Sequence, residues 1–327
     1  MRPPPEPWAA LRAPPEAPPL RPQSACPVCG STRWRDWATL TIRPETSFLW
    51  DLCLRQVLPY GEIRQDVRLC RACGGVFRSP VWDEAELERL YSPETWKLVE
   101  PYRPKTPRAF RNNELRRDWM GELILAHAPR RERGAPLAIA DVGGRDGFYV
   151  APFLERGWEV TSIDSASTSV VDPRLRRLAV RLDQAGLREA FDAVVLSHIL
   201  EHLVGLADFL GQVRGALRPA GVVYAEVPYE VPRVLLGRDL GDPSHQIYFA
   251  TRTLRYALES AGFTMRLCAR RRSTYDLSEL LAIVVIAVDE DAAGPPGRPP
   301  GMLHTLLEMA SPVVLALALR NRLRPPA

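Results

Sequence analysis

From residue 136 onward, short apolar runs alternate with longer amphipathic stretches, as when strands and helices take turns around a buried sheet. Buried strands are predicted at 137–142, 158–164, 178–182, 191–197 and 222–227, where Val, Ile, Leu and Ala cluster. Helices are predicted at 147–156, 200–217 and 251–261. The second puts Leu203, Leu206, Ala207, Leu210, Val213 and Leu217 on one face and ends at Pro219-Ala220-Gly221. Gly262 closes the third. Residues 263–271 and 281–288 pair as two last strands. This order predicts a doubly wound, Rossmann-like α/β domain with a seven-stranded sheet.

The front of the chain has a different texture. Residues 1–24 carry Pro3-Pro4-Pro5, Pro14-Pro15 and Pro18-Pro19, which cannot build ladders, so a disordered tail is expected. Trp34, Trp37, Ile42, Phe48, Trp50 and Val57 suit short strands in a small module over 25–80. A helix over 83–91 shares Leu87, Leu90 and Tyr91 on one face. Another over 109–128 puts Leu115, Trp119, Leu123 and Ile124 on one side and its arginines on the other. Residues 81–134 therefore read as a helical linker, 135–290 as the α/β domain, and 291–327 as a linker with an apolar helix. His304, Glu308, Ser311 and Pro312 interrupt that last stretch, which falls short of the roughly 20 apolar residues a membrane span needs. A helix docked on the core is expected, with contact to a membrane surface the lesser reading.

Composition narrows the function classes. With 43 Lys+Arg against 39 Asp+Glu, the net charge of +4 over 327 residues lacks the basic surplus of a nucleic-acid binder. No apolar core follows the N-terminus, so a cytoplasmic, reducing setting is expected, which favours metal over disulfides. Four of the six cysteines fall in two CxxC pairs, Cys26/Cys29 and Cys70/Cys73, each followed by glycine (Gly30, Gly74). Two such knuckles complete a tetrahedral thiolate site, so a zinc ribbon with a structural zinc ion is predicted. Cys53 and Cys268 read as small core residues.

The second chemical feature is the loop after the first α/β strand. Asp141 leads into Gly143-Gly144 and then Gly147 at a predicted helix start, where glycines let the backbone approach a ligand. Asp164 ends the next strand, where an acid grips ribose hydroxyls. His198, His202 and His245 are the candidate acid–base groups. His245 lies in a loop before a helix and His198 near a strand end, so these rank first and second as catalytic residues.

These residues resemble the class I S-adenosylmethionine-dependent methyltransferases. Asp141-Val142-Gly143-Gly144-Arg145-Asp146-Gly147 is similar to that family's first motif, Ile163-Asp164 to its second, and the stretch from Phe191 through Ser197 to Leu203 to its fourth-strand motif. Asp183-Gln184 stands where the family holds adenine. His245 to Leu254 resembles a segment that lies near the substrate. The resemblance implies that Asp141, Gly143, Gly144, Gly147, Asp164, Asp183 and Ser197 bind S-adenosylmethionine.

The paired CxxCG knuckles, with the acidic stretch ending in Tyr91, further resemble bacterial sugar C-methyltransferases. Two departures stand out: Arg145 where the family has glycine, and Asp242-Pro243-Ser244-His245 in place of Tyr-x-Glu-His, keeping only the histidine. The expected reaction is methyl transfer to a small-molecule or glycan acceptor. The rivals are an RNA methyltransferase gripping its substrate through the arginines of 103–117, and an inactive, partner-binding scaffold with Arg145 blocking the cofactor. A hydride-transfer enzyme fits less well, because Gly143-Gly144-Arg145 lacks the G-x-G-x-x-G spacing.

Overall fold

The computed structural model describes residues 19–42, 63–99, 106–131, 135–236, 244–275, 278–290 and 297–309. Trp34, Trp37 and Ile42 fall in a strand, as their β-branched and aromatic character suggested. The strands of this front part are β1 (Leu20–Arg21), β2 (Trp34–Ile42), β3 (Ile63–Cys70), β4 (Val76–Ser79) and β5 (Val81–Trp82). Three helices follow: α1 (Glu84–Leu90), α2 (Pro93–Val99) and α3 (Pro107–His127). Asp83 and Thr106 cap α1 and α3, each accepting a backbone N–H of the first turn.

The α/β part contributes β6 (Ala138–Val142), β7 (Glu159–Ile163), β8 (Arg176–Leu178), β9 (Phe191–Ser197), α4 (Leu206–Ala216), β10 (Leu217–Pro228) and α5 (Val231–Leu235). After it come β11 (Ile247–Tyr248), α6 (Thr251–Ser260), β12 (Phe263–Tyr275), β13 (Ser278–Asp289) and α7 (Gly301–Met309). The large sheet has the order β12-β13-β10-β9-β6-β7-β8. Neighbours from β10 to β8 are parallel, while β13 runs antiparallel to both β10 and β12. The chain leaves β6 toward β7 and β8, then crosses back to β9, so the strand order reverses beside β6. Ligands bind outside the carboxyl ends of strands at such a reversal. Alternation in β9 buries both faces: Ala193 and Val195 meet Met120, Ile124 and Phe153, while Val194 and Leu196 meet Leu206, Leu210 and Leu254.

Several expectations change in detail. Residues 147–156 are turns and a short 3-10 helix (Ala151–Arg156), since Gly147 is left-handed and Pro152 stands at the helix start. The predicted helix 200–217 is broken: Leu200–His202 is a 3-10 turn, Leu203 is extended, and α4 begins only at Leu206. In α3 the inward residues are Ala109, Arg116, Met120 and Ile124, while Leu115 is 49% exposed. An arginine could take the inner stripe because its guanidinium finds partners there. Leu20–Arg21, placed in the predicted tail, pairs with Val81–Trp82.

The front module is also not a separate domain. Its sheet has the order β11-β4-β3-β2, so its edge strand comes from the α/β part. Cys26, Cys70, Cys73 and Phe77 share one apolar core with Leu254, Leu258 and Phe263. The C-terminal helix α7 closes over the second knuckle, where Thr305 Oγ1 donates to the Gly74 carbonyl at 2.8 Å. Glycine is required there, because a Cβ would meet Thr305 Oγ1 at 2.4 Å. Residues 1–18, Phe48, Trp50, Cys53, Val57 and 310–327 lie outside the described residues. Among the described residues no helix is long and apolar enough to cross a membrane.

Candidate active site

The loop after β6 turns through Gly143 (φ 71°), Arg145 (φ 48°) and Gly147 (φ 76°). Left-handed backbone strains Arg145 and suits glycine on either side. Asp164, the residue after β7, ties the strained position down. Its Oδ2 accepts the Arg145 N–H at 2.9 Å and its Oδ1 accepts the Ala166 N–H at 2.7 Å. Ser162 Oγ donates to the Arg145 carbonyl at 2.9 Å. The predicted ribose acid thus also builds the loop. A carboxylate oxygen has room for a second donor, so Asp164 retains acceptor capacity for a diol. Burial raises its carboxyl above the usual range, opposed by those N–H bonds and by Arg145.

Asp141 is buried, and its Oδ2 has no hydrogen-bond partner among the described residues. Burial first, then the charges of Asp146 and Asp164, push its carboxyl up to about 8 against the pull of Arg116. Gly144 makes room for this side chain: a Cβ there would lie 2.1 Å from Asp141 Oδ2. Asp183 sits on the 3-10 turn Leu182–Gln184, exposed and paired with Arg181 at 3.1 Å.

Ser197 ends β9, and its hydroxyl accepts a hydrogen bond from Arg116. Arg116 also donates to the Tyr149 hydroxyl and, through Nε, to Glu226 Oε2 at 3.0 Å. Glu226 further accepts Tyr224 and Ser273 hydroxyls at 2.7 and 2.6 Å. Burial opposes ionisation of Glu226, but Arg116, His198 and these hydroxyls win and hold it at about 2. The network spans α3, the β6 loop, β9, β10 and β12. Neither Arg116, Tyr149 nor Glu226 was anticipated. An arginine in a run of polar residues carries no mark of its own, and the one available hint was its position four before Met120 and eight before Ile124, on the same helix stripe.

A second cluster lies past the ends of β9 and β10. His198 (φ 56°) places Nδ1 3.1 Å from Glu201 Oε1. Glu201 is 1% exposed, and His202 Nε2 is 3.9 Å from the same oxygen. The rings of His202 and His245 are 4.8 Å apart, and Tyr91 packs edge-on against His202 at 5.7 Å. Burial disfavours the Glu201 carboxylate, yet the bond to His198 and the charges of His202, His198 and His245 hold its pKa below the usual value. His245, expected at an open loop mouth, is 8% exposed and holds Nδ1 2.7 Å from Glu230 Oε2. Its burial follows from the front module, since Gln246 accepts the Arg78 N–H at 2.9 Å and donates its own N–H to Glu201 at 2.7 Å.

Residues 110–267 match a family described as "Methyltransferase domain". This stretch is a methyltransferase domain. A ubiquinone biosynthesis O-methyltransferase of Paramagnetospirillum magneticum is 31% identical over 125 residues, covering 34% of this chain and 50% of that protein. A tRNA U34 carboxymethyltransferase of Pseudoalteromonas atlantica is 29% identical over 126 residues, covering 35% of this chain and 38% of that one. The chain spans about half the length of the curated relatives it matches. Among solved structures, the 1,6-didemethyltoxoflavin-N1-methyltransferase of Burkholderia thailandensis aligns with a TM-score of 0.49 at 19% identity, covering 66% of this chain and 96% of that one.

Beside the methyltransferase domain stand the four paired cysteines. Cys26 Sγ is 3.6 Å from Cys73 Sγ, and Cys29 Sγ is 3.6 Å from Cys70 Sγ. A tetrahedral zinc with bonds of about 2.3 Å sets its sulfurs roughly 3.8 Å apart, so the donor set fits the ion. Left-handed Gly30 and Gly74 close the two knuckles, and the Gly75 N–H donates to Cys73 Sγ at 3.3 Å.

Proposed function

We propose that the methyltransferase domain transfers a methyl group from S-adenosylmethionine to a small-molecule acceptor. The observation that carries this reading is Asp164. Its carboxylate braces the left-handed loop after β6 from the end of the adjacent strand, at the edge where the strand order reverses. Gly143 and Gly147 give the turn its approach, and Asp141 offers an uncompensated buried carboxyl to the cationic cofactor. Ser197 ends β9 and is held by Arg116, and Asp183 would take the adenine side, as the family resemblance implies. S-adenosylmethionine, when bound, supplies the electrophilic methyl; the chain's own residues orient the acceptor and receive its proton.

Acid–base work falls to the histidine cluster. His198 directly follows the end of β9, next to Ser197. His245 is oriented by the Glu230 carboxylate, which fixes its ring. Cys26, Cys29, Cys70 and Cys73 hold a structural zinc ion, whose role is to fix the sheet that carries β11 and hence His245. The paired knuckles followed by Tyr91 favour a sugar or glycan acceptor, while the names of the relatives favour an oxygen acceptor in quinone biosynthesis. Competition among acceptors in a turnover assay decides between these. RNA is disfavoured because Arg116 is turned inward and Arg117 pairs with Asp118. Calorimetry with S-adenosylhomocysteine tests the whole reading. Binding that weakens by ~10-fold or more in Asp164→Ala supports it. No binding by the wild-type chain would reject it in favour of a scaffold.

A further inference from the structure

We propose that Glu201, His202 and His245 bind a divalent first-row metal ion, distinct from the four-cysteine site, on the acceptor side of the methyltransferase domain. One ligand atom from each of the three residues lies within 4.8 Å of the others. The decisive feature is Glu201. It is 1% exposed, and its Oε2 is buried without a hydrogen-bond partner among the described residues. A buried carboxylate oxygen left unpaired is costly, and a cation is the ligand that relieves it.

The histidines are arranged as ligands are. His245 Nδ1 faces Glu230 Oε2 at 2.7 Å, and His202 Nδ1 faces Ser244 Oγ at 3.0 Å and its carbonyl at 3.4 Å. The Glu230 carboxylate can only accept, which puts the His245 proton on Nδ1 and makes Nε2 its ligand atom, while Ser244 holds the His202 ring from its Nδ1 side. Metal-bound histidines are fixed in this way by acceptors behind them. Two imidazoles and one carboxylate suit zinc, cobalt, iron or manganese rather than calcium or magnesium, and leave coordination positions open. Loop order supports the placement: the Glu201 carbonyl accepts the Gln246 N–H, which locks the turn after β9 to the segment carrying His245. Resting on the methyl-transfer reading, the open positions would take an oxygen of the acceptor and lower the pKa of its hydroxyl. His202 and His245 then act as ligands, and His198 remains as the proton acceptor.

The test uses the full chain, dialysed against EDTA under conditions that leave thiolate-bound zinc, then titrated with Co²⁺ and followed by visible absorption. S-adenosylhomocysteine binding is measured by calorimetry on the same samples. Wild type is expected to show d–d bands of nitrogen- and oxygen-bound cobalt without sulfur-to-cobalt charge transfer. Glu201→Gln should weaken Co²⁺ binding by at least ~100-fold, and Glu230→Gln by ~10- to 100-fold, with S-adenosylhomocysteine affinity kept. His202→Gln serves as the second variant if Glu201→Gln melts too low to assay. No cobalt spectrum in wild type, only a thiolate spectrum, or unchanged binding in both Glu201→Gln and His202→Gln would overturn the proposal. Loss of S-adenosylhomocysteine binding by wild type would instead reject the methyl-transfer reading and leave the cobalt result to be judged on its own.

Discussion

The two halves of the candidate site are built in opposite ways. The loop at the centre of the proposed cofactor half lies within residues 141–166. Its contacts are backbone contacts: the Arg145 N–H and carbonyl, the Ala166 N–H, and the turns at Gly143 and Gly147. The acceptor half draws Tyr91, His198, Glu201, His202, Glu230, Ser244 and His245 from distant segments, and its contacts are between side chains. The first half needs only two adjacent strands. The second needs the front module, because β11 pairs with β4 directly after His245. A binding loop made from local backbone tolerates changes elsewhere, whereas a side-chain cluster is only as well placed as the layers that support it.

That contrast can be broken most sharply at His245. In His245→Ala, turnover is expected to fall by ~10²- to 10⁴-fold while S-adenosylhomocysteine affinity and melting temperature stay near wild type. Equal losses of turnover and cofactor affinity would show that the halves are not separable. Next comes Cys70→Ser. Removing one thiolate of the proposed zinc site should abolish metal binding and cost several kcal/mol of stability, since a structural metal contributes folding energy. In whatever fraction remains folded, acceptor KM should rise more than the cofactor Kd. A cofactor Kd that rises in parallel would contradict the idea that the module supports only the acceptor half.

A smaller effect is expected at Asp164→Ala. Cofactor affinity should drop by ~10-fold or more, because one carboxylate braces Arg145 and, in the proposed reading, accepts the ribose hydroxyls. Hydrogen exchange at Arg145 and Ala166 should quicken in the same variant, and unchanged exchange would separate the two roles.

The smallest is a pH effect at Asp141. Its carboxyl is pushed up to about 8 in the fold, against 3.8 as the ordinary value. The folded state therefore binds the proton more tightly, and this group's contribution to stability is lost as pH rises from about 4 toward 8. Asp141→Asn removes that dependence. The variant should gain on wild type across this window, by ~1 kcal/mol or more near neutrality, while its cofactor binding weakens. Parallel stability curves for the two proteins would show that the Asp141 charge is already compensated.

The fold was legible because buried parallel strands announce themselves as apolar runs, and all seven strands of the large sheet lie at or within a few residues of the expected places. The helices between them were less legible. Residues 147–156 and 200–205 carry helical periodicity, but Pro152 and the extended Leu203 follow demands of the turns around them. The cysteine pairs needed no fold to be noticed, since their chemistry is in their spacing; their meeting at 3.6 Å is what the spacing led one to expect. Arg116 was misplaced for an instructive reason. Hydrophobicity alone puts an arginine outside, and only Glu226, Ser197 and Tyr149, brought from three other segments, make the inside tolerable.

The sequence by itself determined what depends on neighbours along the chain: the succession of strands in the α/β part, the glycine loop, the acid one strand later, and the thiolate knuckles. Tertiary structure alone decided what depends on neighbours in space. It fused the front module to the α/β sheet through β11, turned Arg116 inward, buried His245 against Glu230, and gathered three histidines around Glu201. Local backbone preferences are short-ranged and leave their mark in a few adjacent residues. Burial of a charged side chain is set by partners hundreds of atoms away, and no stretch of sequence carries that information until the chain has folded.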